Sequence, residues 1–145
     1  MTPAPTATPA PSIDLDTSRL DEIIGAKGKA VGGVYQFTVP RRGEIMESGI
    51  QLDPPGPTGV AMVINFQSTG GDKAAITGDF ALTGDEVTPV IQALRSNGIE
   101  VTALHSHMLV EQPRLLFAHF WANDDALKLA KGLRAALDKI DVNKN

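Results

Sequence analysis

Cysteine is absent from this chain, which removes disulfides, cysteine-type zinc sites and thiol nucleophiles together. Strong charge is also lacking. The 13 Lys and Arg stand against 17 Asp and Glu for a formal net charge of −4, and the basic residues are scattered rather than striped. Such a chain has no phosphate-attracting field, so nucleic acid is not an expected partner. No stretch approaches the ~20 consecutive apolar residues of a membrane span, so no transmembrane segment is expected. Histidine is scarce in an informative way: all three residues fall within 101 to 121, VTALHSHMLVEQPRLLFAHFW.

What is present describes one globular domain, since 42% of 145 residues are hydrophobic and can bury a core. The opening MTPAPTATPAPS is a Pro/Ala/Thr tract with no capacity to pack, so residues 1–15 read as a flexible leader. A single domain is expected over 16–141, followed by a short tail at 142–145. Tracts of this kind often follow a processed export signal. The expected location is therefore periplasmic or extracellular, with membrane anchoring of a precursor as a variant and cytoplasmic residence as the alternative.

Asp16 or Thr17 can cap a short helix carrying Leu20, Ile23 and Ile24 on one side, and Gly25 stops it. Residues 25–33 are glycine-rich but lack Gly-Lys-Ser/Thr and a preceding strand, so they read as a flexible connection rather than a phosphate loop. Strands are expected at Val34 to Val39, Ile45 to Leu52, Gly59 to Gln67 and Ala74 to Leu82, with turns at 41–43, 53–57 and 68–72. Four sequential antiparallel strands are the simplest arrangement. Thr83 to Glu86 has capping-box spacing, although Pro89 argues for a start one or two residues later. Val87, Val90, Ile91 and Leu94 form that helix's apolar face, and Asn97-Gly98 closes it. A last helix, capped by Asn123, would carry Leu127, Ala130, Leu133, Leu137 and Ile140. The order predicts an α+β fold, an antiparallel sheet with helices packed on one face.

The histidine stretch reads as a hairpin. Alternation puts Val101, Ala103, His105 and His107 on one side of a strand, and Leu115, Phe117, His119 and Trp121 on one side of the next. A turn centred near Gln112 would set His119 opposite His105, and a tighter turn would slide it toward Ala103. On this reading three imidazoles serve one site. Zinc is the first expectation, with copper, nickel and iron also suited to imidazole ligands. Glu111 can join as a fourth ligand or act as a base, and its blander reading is a solvated turn residue. His105-x-His107-x-x-x-Glu111 has the spacing of a cupin metal motif, yet the two flanking helices argue against a cupin barrel. Phe117 and Trp121 can wall a small-ligand pocket, and Arg114 can meet an anionic ligand or a carboxylate. Ser106 points to the opposite side, which disfavours a Ser-His nucleophilic pair. Asp79, Asp85 and Glu86 are explained chiefly by capping and solvation.

The run TGDFALTGDEVTPVIQALRSNGIEVTALHSHM, followed by PRLLFAHFW, resembles the LppY/LpqO family, bacterial proteins that include lipoproteins. The opening LDTSRLDEIIGAKGKAVGGVYQFTVPR is similar to that family's start, so the resemblance covers most of Leu15 to Leu137. It implies the domain limits and an exported context. It carries no mechanism, because the family has no established activity. Its His-x-His corresponds to His105 and His107, and its later histidine to His119. The expected function is an exported binding protein that takes a metal ion or small molecule. A metal-dependent hydrolase or lyase using metal-bound water is the alternative. A structural module, including a homo-oligomer, is the reading if the histidines do not converge.

Overall fold

The computed structural model describes residues 13–52 and 60–142. The described chain runs α1 (Thr17–Ile24), β1 (Lys29–Val31), β2 (Val34–Pro40), β3 (Ile45–Glu47), β4 (Ile50–Leu52), β5 (Ala61–Gly70), β6 (Lys73–Leu82), α2 (Gly84–Ser96), β7 (Glu100–Ser106), β8 (Leu116–Asp125) and α3 (Ala126–Leu137). Six strands form one sheet in the order β1-β2-β5-β6-β8-β7, with every neighbouring pair antiparallel. The fold is α+β, as expected. Residues 1–12 of the leader, the break at 53–57 and residues 143–145 of the tail lie outside the described residues.

Strict alternation builds the core. Tyr35, Phe37 and Val39 of β2, Met62, Ile64 and Phe66 of β5, Ile76 and Phe80 of β6, and Ala118 and Phe120 of β8 are all buried on one side. The helices cover that side with Leu20 and Ile24, Val90 and Leu94, and Leu129, Leu133 and Leu137. Gly78 is a place in the sheet where this layer needs a missing side chain. A Cβ there would run into the Val63 carbonyl oxygen and the ring of Phe120, its partner across the ladder. Among the described residues no helix covers the opposite side of the sheet, which presents polar and aromatic side chains.

Several boundaries differ from the expectation. Residues 25–33 are not only a connection, because Lys29–Val31 pairs with Val34–Gln36 as β1. Ile45 to Leu52 is two short strands: Ser48 and Gly49 take φ of 51° and 80°, which closes a tight hairpin within the segment. The four-strand meander therefore does not form, and β2 pairs with β5 instead. Pro89 lies inside α2 rather than delaying it, because the capping box does form at Thr83 and Glu86 and holds the start at Gly84. Asn123 does not cap α3. The β6 ladder extends the strand through it to Asp125, whose carboxylate accepts from the Lys128 N–H at 2.9 Å. Ile140 lies past the helix end, though it is buried.

One ion pair ties the sheet's end to α2. Arg41, 7% exposed, donates to the Ala81 carbonyl at 3.0 Å and to both Glu86 oxygens at 2.5 and 3.2 Å. Glu86 also accepts from the N–H groups of Thr83 and Asp141. Burial alone would raise the Glu86 carboxyl, but these donors outweigh it and hold the pKa below the usual range. Its contribution to stability is thus complete above the ordinary glutamate pKa and drains as pH falls through the lowered one. Glu86→Ala strands a buried guanidinium and should cost ~3–5 kcal/mol, read as a lower urea midpoint at neutral pH. The difference from the parent should shrink under acid conditions.

Candidate functional site

The histidine hairpin occupies the sheet's edge, with β7 outermost and β8 between β7 and β6. Ala118, Phe120 and Ala122 face the helices, so Phe117, His119 and Trp121 fall on the open side. The register pairs Ala103 with His119 and His105 with Phe117, the arrangement of the tighter turn. A shift between Val101 and Ala103 breaks the alternation expected for β7. Val101 pairs with Phe120 and Ala103 with His119, so Thr102 is the extra residue and Val101 leaves the face of Ala103 and His105.

His105 and His119 meet diagonally. Their Nε2 atoms lie 2.8 Å apart and their rings stack with centroids at 4.9 Å. The tautomers follow from the partners. His105 Nδ1 lies 3.1 Å from the Ser106 carbonyl oxygen, which can only accept, so Nδ1 carries a proton and the neutral ring holds its lone pair on Nε2. His119 then donates its Nε2–H to His105. On the other side His119 faces Asp79 of β6, whose Oδ1 accepts from the Val63 N–H at 3.2 Å.

His107 goes elsewhere. It follows the end of β7, where its N–H donates to the Leu115 carbonyl, and the Phe117 ring approaches both His105 and His107, at 6.0 and 5.1 Å. His107 Nδ1 lies 3.8 Å from Glu111 Oε1. The structure thus brings together two of the expected imidazoles and directs the third to the connecting loop. Among the described residues no group of three or more His, Cys, Asp or Glu is placed to hold a metal ion.

Glu111 is not a solvated turn residue, being 0% exposed. The loop wraps around it: Oε1 accepts from the N–H groups of Met108 and Leu115, both at 3.2 Å. Gln112 exchanges two backbone hydrogen bonds of 2.7 Å with Met46, which sets Glu47 alongside Glu111. His107 Nδ1, Glu111 Oε2 and Glu47 Oε2 are buried without hydrogen-bond partners. Arg114 donates to the Leu109 carbonyl at 2.7 Å, so it braces the loop.

Trp121 stands at one end of a groove of ≈ 400 Å³ on the open side, lined also by Val34, Gln36, Asn65, Gln67 and Thr77. A second depression of ≈ 450 Å³ runs from Trp121 to His119 past Thr77 and Thr102. Gln36 and Asn65 were not among the sequence candidates, and Asp79, which the sequence reading assigns chiefly to capping and solvation, stands instead on the open face across from His119. Gln36 and Asp79 meet strands far away in sequence, β5 and β8, which alternation does not identify, whereas the Asn65–Thr77 pair belongs to the expected β5–β6 hairpin.

Burial would raise the Glu111 carboxyl, but the loop N–H groups and nearby His107 overcome this and lower its pKa. The bracing is therefore complete above the ordinary glutamate pKa and lost as pH falls through the lowered one. Glu111→Ala orphans two N–H groups at ~1–3 kcal/mol each. Hydrogen exchange at Met108 and Leu115 should accelerate, while the β6–β8 amides keep their protection.

No curated protein and no solved structure matches the chain. Residues 18–139 match the family described as Domain of Unknown Function (DUF1259), and with that span covering most of its length the chain belongs to this family.

Proposed function

We propose that the protein is a binding module that holds a transition metal ion, zinc foremost, between His105 and His119, with water or a small ligand completing the coordination. The observation that supports this is the approach of the two Nε2 atoms to 2.8 Å, with His105 Nδ1 engaged by a carbonyl. That outer hydrogen bond is the usual way a ligating imidazole is oriented and its lone pair kept available. Zn–N bonds of ~2.05 Å at a tetrahedral angle need nitrogens about 3.3 Å apart, so the pair opens by about half an ångström to admit the ion. To ligate through Nε2, the neutral His119 ring carries its proton on Nδ1 instead, and protons compete with the metal for both imidazoles as pH is lowered.

With two protein ligands, further coordination positions stay open toward the depression beside Trp121. Binding is favoured over hydrolysis by the placement of Glu111. One oxygen of that candidate base is committed to two backbone N–H groups, and the side chain is enclosed by the loop. Among the described residues no helix is long and apolar enough to cross a membrane.

Zinc binding by untagged protein, followed by equilibrium dialysis and elemental mass spectrometry, tests the assignment. His105→Ala and His119→Ala should each weaken binding at least tenfold, about 1.4 kcal/mol, while His107→Ala retains the parent affinity. Equal loss in all three variants would return the site to a three-histidine arrangement. Unchanged binding in both His105→Ala and His119→Ala would remove it from the sheet.

A further inference from the structure

We infer that the groove on the open side of the sheet is a binding site for a neutral saccharide, separate from the histidine pair. The groove of ≈ 400 Å³ lies within the ~300–1,000 Å³ typical of small-molecule sites. It crosses the strands instead of following them. From Gln36 on β2 through Asn65 and Thr77 to Trp121 on β8 it spans three strand spacings, roughly 14 Å, enough for about two sugar rings.

Its chemistry selects the ligand. Among the described residues no charged side chain lines the groove, so an ionic ligand would lose hydration without gaining a counter-charge. A purely apolar ligand would strip water from the amides and leave them unpaired. The amides are already ordered: Gln36 Nε2 donates to Asn65 Oδ1 at 2.8 Å, and Asn65 Nδ2 donates to Thr77 Oγ1 at 3.4 Å. Gln36 Oε1 and the Gln67 amide have no partner among the described residues and offer both acceptors and donors. Hydroxyl groups, which donate and accept, match that set.

Trp121 supplies the remaining element. It is 44% exposed, and the negative face of its indole attracts the polarised C–H face of a sugar ring. A peptide fits less well. Extended peptides add to sheet edges and polyproline ligands use grooves lined by several aromatics, whereas this groove crosses the middle of a face with Trp121 as its aromatic wall.

Trp121 is the chain's single tryptophan, so its fluorescence reports on the groove directly. The full chain would be titrated in EDTA, which keeps metal binding out of the readout, with cellobiose, maltose and N,N′-diacetylchitobiose. Glucuronic acid, glucosamine and a peptide of sequence MTPAPTATPAPS serve as competitors of other chemistry. A saturable change with at least one neutral disaccharide is expected, weakened at least tenfold in Gln36→Ala and in Asn65→Ala. Neither is a core residue, and unchanged far-UV circular dichroism would verify the fold of both variants. Three results overturn the inference: no saturable response to any of the three disaccharides, parent-like affinity in both variants, or a response confined to the charged sugars or the peptide.

Discussion

The β6–β8 ladder is the constraint on which the rest depends. Ten residues of each strand pair without interruption, from Lys73 with Asp125 to Leu82 with Leu116. Because side chains alternate, this one register settles two surfaces together. Ile76, Phe80, Ala118 and Phe120 are committed to the helices, and Thr77, Asp79, His119 and Trp121 to the open side. A slip of one residue would put Trp121 and His119 into the core and Phe120 into water. The cost of burying those polar groups makes the alternative register untenable.

The edge strand behaves differently, and the chemistry of the hairpin follows from that. β7 has β8 as its neighbour in the sheet and is free to take a bulge at Thr102, which interior strands can absorb only by disturbing two ladders. The bulge and the register together place His105 diagonally to His119. The strand then ends at Ser106, so His107 belongs to a loop organised by a buried carboxylate. Residues two apart in sequence thus serve different environments. Arg41 and Glu86 form a second carboxylate site, where the charge is tolerable because four donors surround one carboxylate.

The open face carries two kinds of polarity. Near β7 the groups are titratable, with His105, His119 and Asp79 close together. Toward β2 they are neutral amides and a hydroxyl. Trp121 borders both regions, since it lines the groove and also the depression beside His119.

Short-range physics was readable in the sequence. Asp16 caps α1, Gly25 ends it at a φ of 79°, Thr83 and Glu86 form their capping box, and β2 occupies Val34–Pro40, because each depends on residues a few positions apart. The same-face relation of His119 and Trp121 was readable for the same reason, since alternation is a local property. What only the tertiary structure decided was who stands beside whom: β5 rather than Ile45–Glu47 against β2, Asp79 across from His119, the bulge at Thr102, and the enclosure of Glu111 by its own loop beside Glu47. Those outcomes depend on contacts between residues tens of positions apart and on which polar groups find partners once water is excluded. Periodicity and capping, which act over a turn or a strand, carry no information about either.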